Sequence, residues 1–355
     1  MRTLCLFVLL ARAAVAQDVY WVERDGVVYG AREDERGPIG GGAGYVGIVT
    51  AGDYTATTAE ELIAALAQAQ RGQVVFIPSE TEIDLTTLIY IDKLVLQVRE
   101  GVTLAGNRGH EGSAGALLVS DTLDTPVMIR ALGPDVRVTG LRIKGPNPKR
   151  YLDHHRRAYG PGGPGSSYYY KFPVQRGIVT DQPRLEVDNC EISGFGCAGV
   201  DLIGGDGHHI HHCYIHHCQH QGLGYGVCHN QASSLIEYNL FDWNRHSIAG
   251  TGRPGCAYVA RHNVELGTSL SHCFDMHGGR DRNDGTDIAG TRIEIYNNTF
   301  RAPQTPVVIR GVPEDICDVY HNWFVMHTDP GAAVRGSERT QVRDNAYGPD
   351  GTVIP

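Results

Sequence analysis

The sequence lacks both the basic excess of nucleic-acid-binding proteins and the long apolar run of membrane-spanning proteins. It has 31 Lys and Arg against 40 Asp and Glu, for a formal net charge of -9 at pH 7. Because phosphate binding requires a basic face, we do not expect a nucleic acid partner. No later segment approaches the roughly 20 apolar residues of a membrane span, so no membrane partner is expected. An acidic sugar polymer stays compatible, since arginines inside a groove can override the net charge locally.

The N-terminus has the pattern of a secretory signal, which we assign to residues 1–16. Arg2 precedes an apolar stretch over residues 4–10, and the small-residue tripeptide Ala-Val-Ala ends at Ala16. The stretch is too short for a membrane anchor. We therefore expect a secreted protein, extracellular or periplasmic, whose mature chain, residues 17–355, forms one domain and is a monomer.

A short repeated phrase is the most informative feature that is present. Its anchor residues are Asn189, His212, Asn239, Asn263, Asn298, Asn322 and Asn345, at spacings of 23, 27, 24, 35, 24 and 23. A period in the low twenties, with β-branched runs between Gly and Asn corners, is typical of a β-solenoid. One such coil buries too little apolar surface alone, so the coils are expected to stack.

A second short strand ending in Gly follows the repeated phrase in each coil. Side chains alternate faces along a strand, so aligning these strands on the Gly separates two columns. The expected inward column is Leu202, Gly224, Ile248, Met276, Ile309 and Val334. The expected outward stripe is Tyr225, Asp275, His277, Arg310 and Arg335. Stacked strands lie about 4.8 Å apart, so this stripe predicts a functional site, with a solvated sheet face as the alternative.

A different segment precedes the repeats. Thr58 and Glu61 form a capping-box pattern, and apolar residues at helical spacing predict one amphipathic helix over residues 58–70. Strands are expected to follow it, at residues 74–78 and 94–98 among others. A helix at the open end of a solenoid protects its edge strands. We therefore expect an N-terminal cap over about residues 17–90 and coils over about residues 91–347.

The order of helix, strand, strand-turn (98–106) and coils with phrases such as His321-Asn322-Trp323-Phe324 resembles the pectate-lyase-like right-handed parallel β-helix superfamily. The likeness covers residues 50–347 and implies an all-β, right-handed parallel β-helix with an N-terminal capping helix. That superfamily includes polysaccharide lyases, glycoside hydrolases, esterases, epimerases and phage-tail depolymerases. The sequence lacks the Arg-x-Pro-x-x-Arg pattern of pectate lyases, and Arg142-Ile143-Lys144 lacks its polygalacturonase partners. No catalytic residues are therefore carried over.

A long insertion over residues 146–175 interrupts the coils. It combines Tyr168 and Tyr169 with Arg156 and further basic residues. Aromatic platforms with interleaved arginines suit a sugar polymer that bears carboxylates or sulfates. The alternative is a disordered linker rich in Gly, Pro and Ser.

A second long corner carries Arg245 and His246, between the coils of Tyr225 and His277. A third, residues 278–287, accounts for the 35-residue spacing. Its acidic residues make Ca²⁺ a candidate ligand, although no Glu closes an EF-hand loop. A charged turn is the alternative, so Ca²⁺ stays a candidate and no cofactor is assigned.

Eight histidines lie between His208 and His229. Zinc or another transition metal is one interpretation, because imidazoles can converge across stacked strands. The other is that most of them are hydrogen-bonding corner residues, with His212 at the position that Asn fills elsewhere. The metal content is therefore left unknown.

Eight cysteines remain after loss of the signal with Cys5: Cys190, Cys197, Cys213, Cys218, Cys228, Cys256, Cys273 and Cys317. In an oxidising compartment an even number suggests disulfides, for example between neighbouring coils at Cys190 and Cys213. The alternative is a column of reduced, buried cysteines that fill the core.

These observations predict a carbohydrate-active enzyme, most simply a lyase that cleaves a uronic-acid-containing glycan by β-elimination. Such an enzyme must neutralise the carboxylate, remove the C5 proton and protonate the leaving oxygen. The assigned residues are Arg245 and Arg310 for the first task, His277 and Tyr225 for the other two, and Asp275 or His246 for holding the imidazole. The assigned substrate-binding residues are Arg335, Arg282, His229, Tyr168, Tyr169 and Arg156.

Two alternatives remain open. A glycoside hydrolase needs two carboxylates about 5 to 10 Å apart, whereas Asp201 and Asp275 are expected about 14 Å apart. A non-catalytic binding or adhesive solenoid would favour aromatic and amide groups over His beside Arg in the stripe.

Overall fold

The computed structural model describes residues 19–355, in which parallel strands dominate. Successive coils of the chain contribute strands to three sheets, and these strands pair in parallel register, except that the last strand, Thr352–Ile354, pairs antiparallel with Asn345–Tyr347. The predicted all-β, right-handed parallel β-helix is confirmed. The predicted signal, residues 1–16, lies outside the described residues. Within those residues no helix combines the length and apolar character of a membrane span.

Sheet 1 is formed by Leu96–Val98, Ile129–Ala131, Arg176–Thr180, the first parts of Ala198–His211 and Tyr225–Glu237, His246–Gly250, Phe274–Met276, Val307–Ile309 and Val334–Arg335. Sheet 2 is formed by Tyr54–Thr55, Val74–Phe76, Thr103–Ala105, Arg137–Thr139, Glu186–Asp188, the second parts of the same two long strands, Ala257–Arg261, Arg292–Tyr296, Ile316–Tyr320 and Thr340–Arg343. Sheet 3 is formed by Glu82–Asp84, Leu117–Val119, Arg142–Lys144, Glu191–Ser193, Tyr214–His216, Leu240–Asp242, Val264–Glu265, Thr299–Phe300, Trp323–Phe324, Asn345–Tyr347 and Thr352–Ile354.

The core is the inside of this coil stack. Inward side chains at the same position of successive coils lie one above another, so each coil covers the apolar face of its neighbour. In sheet 1 the inward column includes Val200, Val227, Ile248 and Phe274, all fully buried. Apolar and polar residues alternate in the short strands, and burial of the apolar ones drives the stacking.

An asparagine ladder fixes the corner between sheets 2 and 3. Its members are Asn239, Asn263, Asn298, Asn322 and Asn345, all fully buried. Each Oδ1 accepts the backbone N–H of the equivalent residue in the preceding coil, at 2.9 to 3.1 Å. Each Nδ2 donates to a backbone carbonyl of the preceding coil. The ladder thereby satisfies backbone groups at a corner that water does not reach.

Two of the predicted anchors are one residue out of frame. Asn189 and His212 occupy the left-handed position just before the ladder, with φ of 51° and 49°, so Cys190 and Cys213 hold the ladder position. Their thiols lie 3.6 and 3.5 Å from carbonyls of the preceding coil, where Asn places its amide. The error has a physical cause, because Asn and His are both tolerated at positive φ.

The cysteines do not form the disulfides offered as one alternative. All eight within the described residues are free thiols, and only Cys228 is more than slightly exposed. Cys190 and Cys213 do lie at equivalent positions of neighbouring coils, as expected. Their role is that of small core groups that also contact backbone carbonyls.

The predicted capping helix is present at Ala59–Gln68. Thr58 caps it by accepting the N–H of Glu61 at 3.2 Å, and Leu62 and Leu66 are buried against the first coils. A second helix, Thr86–Asp92, was not predicted. The remaining helices are Leu152–Tyr159, Ser166–Tyr169, Gly279–Arg282, Pro330–Ala333 and a 3-10 turn at His110–Gly112.

The first part of the expected cap, residues 19–47, lies elsewhere. It begins with a hairpin, Trp21–Arg24 and Val27–Gly30, and runs back along the asparagine-ladder corner from the last coils toward the first. Its contacts, in chain order, are Gly30 with His321, Gly40 with Tyr238 and Tyr45 with Asp188. The part that closes the end of the coil stack is therefore shorter than predicted.

Candidate functional site

Asp275 is the centre of a dense group of titratable side chains on the outer face of sheet 1. The Nε of Arg310 donates to one of its oxygens at 3.0 Å, and an Nη of the same guanidinium contacts the other. The Nε2 atoms of His272 and His277 lie 3.1 and 3.0 Å from the carboxylate. Burial by itself raises the pKa of Asp275, but the contacts to His272 and His277 outweigh it and lower the pKa well below its usual range. The carboxylate is therefore ionised and held in place.

His246 and Tyr225 extend this group along the sheet. Their rings stack at 5.8 Å between centroids and an angle of 14°, and the ring of His277 lies edge-on to Tyr225 at 6.5 Å. His246 is fully buried, and this burial, aided by the charge of Arg245, lowers its pKa well below the usual value. The imidazole of His246 is consequently neutral.

The outward stripe differs in register from the sequence prediction. Tyr225 pairs with His246, and not with Ala249 as the alignment on Gly implied. Arg335 pairs with Val308 and shares the column of Asp275. The cause is that the strand Tyr225–Glu237 continues past its first Gly, which is therefore no strand end. Tyr225 and His277 still share one wall of the coil stack.

Arg245 and Arg310 differ in their hydrogen-bond and ion-pair partners. Arg310 also contacts Asp281 at 3.1 Å, so its charge is shared between two carboxylates. Arg245 is half-buried and donates from Nη1 to the carbonyl of Leu223 at 3.1 Å, while its Nε has no hydrogen-bond partner among the described residues. Arg245 is thus the arginine of this pair with donor capacity left for an anionic ligand.

The insertion 146–175 is folded, so the linker alternative is wrong. Tyr169 is almost fully buried, and its hydroxyl donates to the carbonyl of Gln221 at 2.6 Å. Tyr169 and Ala158 pack in one apolar cluster with Tyr225. The insertion therefore covers the outer face of sheet 1 on the N-terminal side of Tyr225.

Two of the residues assigned to substrate binding in the insertion have different surroundings. Tyr168 is half-buried and packs on His154, with ring centroids 5.4 Å apart. Arg156 is exposed and pairs with Asp153 one helical turn away at 2.7 Å. Neither contacts the group around Asp275, and Tyr169 reaches it only through packing on Tyr225.

His229 and Arg282 do not contact the group around Asp275, contrary to the prediction that they bind substrate there. His229 is fully buried inside the coil stack, in register with Gly250, and it contacts the carbonyl of Ala249 at 3.0 Å and the hydroxyl of Ser234 at 2.7 Å. Burial lowers its pKa to about 4. A side chain at Gly250 would collide with Met276 and Cys256, so this inward position of the coil has none.

Arg282 holds the long corner after His277 together. Its guanidinium donates to Asp284 at 2.7 Å and to the carbonyls of Thr251 and Ile288 at 2.7 and 3.0 Å. Asp281 and Asp287 in the same corner contact arginines as well. Because arginines already compensate these acids, the corner fits the charged-turn alternative better than a Ca²⁺ site.

Sequence reasoning missed His272 and Asp281. Both contact the same salt-bridged pair, His272 through Asp275 and Asp281 through Arg310. The signal for His272 was its place in the phrase His-Cys-Phe-Asp-Met-His, in which two histidines flank the acid. It was overlooked because it precedes the strand Phe274–Met276.

Two groups within residues 19–355 bring His and acidic ligand atoms within 4.8 Å of one another. One is His246, His272 and Asp275. The other is Glu186, His209 and His211 on sheet 2. In the second group Glu186 lies 3.2 Å from His211, and Glu237 lies 2.9 Å from His209, so each imidazole already has a carboxylate partner. Most of the dense histidines thus have hydrogen-bonding roles, as the second interpretation held.

No protein-family model and no curated protein matches the sequence. A solved structure with a related shape is the Dettilon tailspike protein (gp208), with a TM-score of 0.45 and 12% sequence identity. The match covers 82% of this chain and 55% of that chain, so this chain spans about half the length of the tailspike. A likeness at this level carries no argument about activity, and membership of the pectate-lyase-like superfamily stays a prediction.

Proposed function

We propose that the protein is a secreted polysaccharide lyase that cleaves an acidic, uronic-acid-containing glycan by β-elimination on the outer face of sheet 1. One observation carries the proposal: a buried, ionised Asp275 holds His277 beside the phenol of Tyr225, with the donor capacity of Arg245 nearby. These groups match the acid, the base and the cation that elimination requires.

In the proposed reaction Arg245 binds the uronate carboxylate and makes the adjacent C5 proton more acidic. The Nε2 atom of His277 lies 3.0 Å from Asp275, and its other ring nitrogen, Nδ1, is the proposed base that takes that proton. The electrons of the C5–H bond form a C4–C5 double bond, and the C4–O bond breaks. Burial raises the pKa of Tyr225, so its phenol is neutral and donates the proton to the leaving oxygen.

A glycoside hydrolase is the second candidate. Asp201 and Asp275 share an outward column but lie three strands apart, which is about 14 Å at the usual strand spacing. That distance exceeds the range for a pair of hydrolytic carboxylates. Asp281 favours hydrolysis more, since it contacts the same guanidinium as Asp275. A hydrolytic carboxylate must reach the sugar or a water beside it, whereas Asp275 is fully buried and fixed by Arg310. Elimination therefore ranks first.

The outer face of sheet 1 is covered on one side of the site and open on the other. On the N-terminal side of Tyr225 the outer face is covered, and Ala198 is fully buried. On the C-terminal side Val308 is half-buried and Arg335 is exposed. A glycan bound at Tyr225 and His277 would therefore extend mainly toward Arg335. This supports action near a chain end.

A panel of uronate polymers tests the proposal. Elimination leaves an unsaturated sugar at the new end, which absorbs in the near ultraviolet. An increase in absorbance with at least one polymer is the expected result. New reducing ends without the absorbance would favour the hydrolase, and binding without products would favour a non-catalytic carbohydrate-binding β-helix.

A further inference from the structure

The Nε2 atom of His246 is a buried nitrogen without a hydrogen-bond partner among the described residues. Its Nδ1 lies 2.7 Å from the carbonyl oxygen of His272, a contact that requires the ring proton on Nδ1. Nε2 is the ring nitrogen left without a partner, and it lies 3.9 Å from Oδ2 of Asp275. A buried polar atom without a hydrogen-bond partner costs free energy, and a metal ion between Nε2 and the carboxylate would bind both.

His272 completes a set of three ligand atoms. Its Nε2 lies 3.1 Å from Oδ1 of Asp275, and its ring packs on His246 with centroids 4.0 Å apart. Ligand atoms of a tetrahedral zinc site lie about 3.4 Å apart, given metal–ligand bonds of about 2.0 to 2.2 Å. The distance from Nε2 of His272 to Oδ1 of Asp275 is 3.1 Å, and that from Nε2 of His246 to Oδ2 is 3.9 Å. These two distances lie on either side of the tetrahedral value.

The surroundings resemble those of a metal site. Ligating histidines usually donate their second ring N–H to a carbonyl or carboxylate, as His246 does to His272. Ligating carboxylates are themselves hydrogen-bonded, as Asp275 is by Arg310.

We propose that His246, His272 and Asp275 bind one divalent transition-metal ion, with zinc the best match to two imidazoles and a carboxylate. Three protein ligands leave a fourth position open. His272 is partly exposed, so this position faces the outer surface of sheet 1. Metal binding does not depend on the proposed function. A further step, in which the ion contacts the uronate carboxylate beside Arg245, does rest on the proposed function.

Cobalt(II) is the probe, because its visible spectrum reports four-coordinate binding without any substrate. The full mature chain is stripped with a chelator and titrated with Co²⁺. The expected result is one equivalent bound with intense visible bands. His272→Gln and His246→Gln should each abolish the bands. The control His209→Gln, in the carboxylate-paired group on sheet 2, should retain them.

Circular dichroism on each variant separates loss of ligand from loss of fold. The inference is overturned if the stripped protein binds no Co²⁺, or if His272→Gln folds and keeps the same spectrum. Metal binding without lyase activity would overturn the proposed function and leave the inference standing. Lyase activity in a protein that binds no metal would overturn the inference and leave the proposed function standing.

Discussion

The ring of Tyr225 lies edge-on to the ring of His277, with centroids 6.5 Å apart at an angle of 73°. The two residues come from coils two strands apart in sheet 1, so the stacking of the coils, and no local sequence motif, brings them together. A proton donor and a base on the same wall can act on neighbouring atoms of one sugar, as β-elimination requires.

Tyr225→Phe removes the proposed proton donor and keeps the ring that packs on His246. We expect kcat to fall by about 10² to 10⁴-fold, the usual contribution of general acid catalysis. Steady-state kinetics with the best substrate of the panel measure this. The control Tyr170→Phe, at an exposed tyrosine of the insertion, should change kcat little. Equal kcat for Tyr225→Phe and the unmodified protein would remove the phenol from the mechanism.

Arg245→Gln removes the cation assigned to the substrate carboxylate. We expect a rise in KM together with a fall in kcat, because the interaction strengthens as charge develops in the transition state. Arg156→Gln is the matched control, since Arg156 is exposed and pairs only with Asp153 in its own helix. If a neutral glycan were cleaved as well as a uronate polymer, the role of Arg245 would be wrong.

The buried Glu265 predicts an unusual dependence of stability on pH. It pairs with Phe241 and Phe300 inside sheet 3, and burial raises its pKa to about 8. Between its ordinary pKa near 4.5 and about 8 the folded protein keeps a proton that the unfolded chain loses. The free energy of unfolding therefore falls as pH rises, by up to about 1.4 kcal/mol per pH unit.

Denaturant unfolding at pH 5 and pH 8.5 checks this expectation. Glu265→Gln should be nearly insensitive to this pH change and more stable than the unmodified protein at pH 8.5. Parallel loss of stability in both proteins would show that other groups cause the pH dependence.

The insertion covers the outer face of sheet 1 on the N-terminal side of Tyr225, which predicts cleavage near the ends of the polysaccharide chain. Viscosity of a long uronate polymer should fall slowly relative to the release of unsaturated products, because each cleavage shortens the chain little. Removing exposed side chains from the first insertion helix, by Arg156→Ala with Arg157→Ala, should leave this ratio unchanged, since neither belongs to the buried cluster around Tyr225. A steep early drop in viscosity would indicate cleavage within chains.

The fold was predictable from the sequence because the coil period and the corner asparagines are local signals. The ladder was placed correctly from Asn239 onward, where each coil supplies an Asn. It was one residue out at Asn189 and His212, since the left-handed position accepts the same residue types.

The site was predictable in part. Asp275, His277 and Tyr225 were named because titratable residues near strand ends stand out against apolar neighbours. The contact of Arg310 with Asp275 and the inward turn of His229 depend on register between coils, and the Gly residues used for alignment lie at different points of their strands. The fold of the insertion depends on its packing against sheet 1, which has no local signature.

The mass spectrum of the first products from a uronate polymer tests the central claim most directly. Elimination adds no water, so the account predicts that each fragment with a new non-reducing end is lighter by one water than the corresponding hydrolysis product, and that Tyr225→Phe gives no such fragment at equal reaction time. If every fragment had the mass of a saturated oligosaccharide, the account would be contradicted.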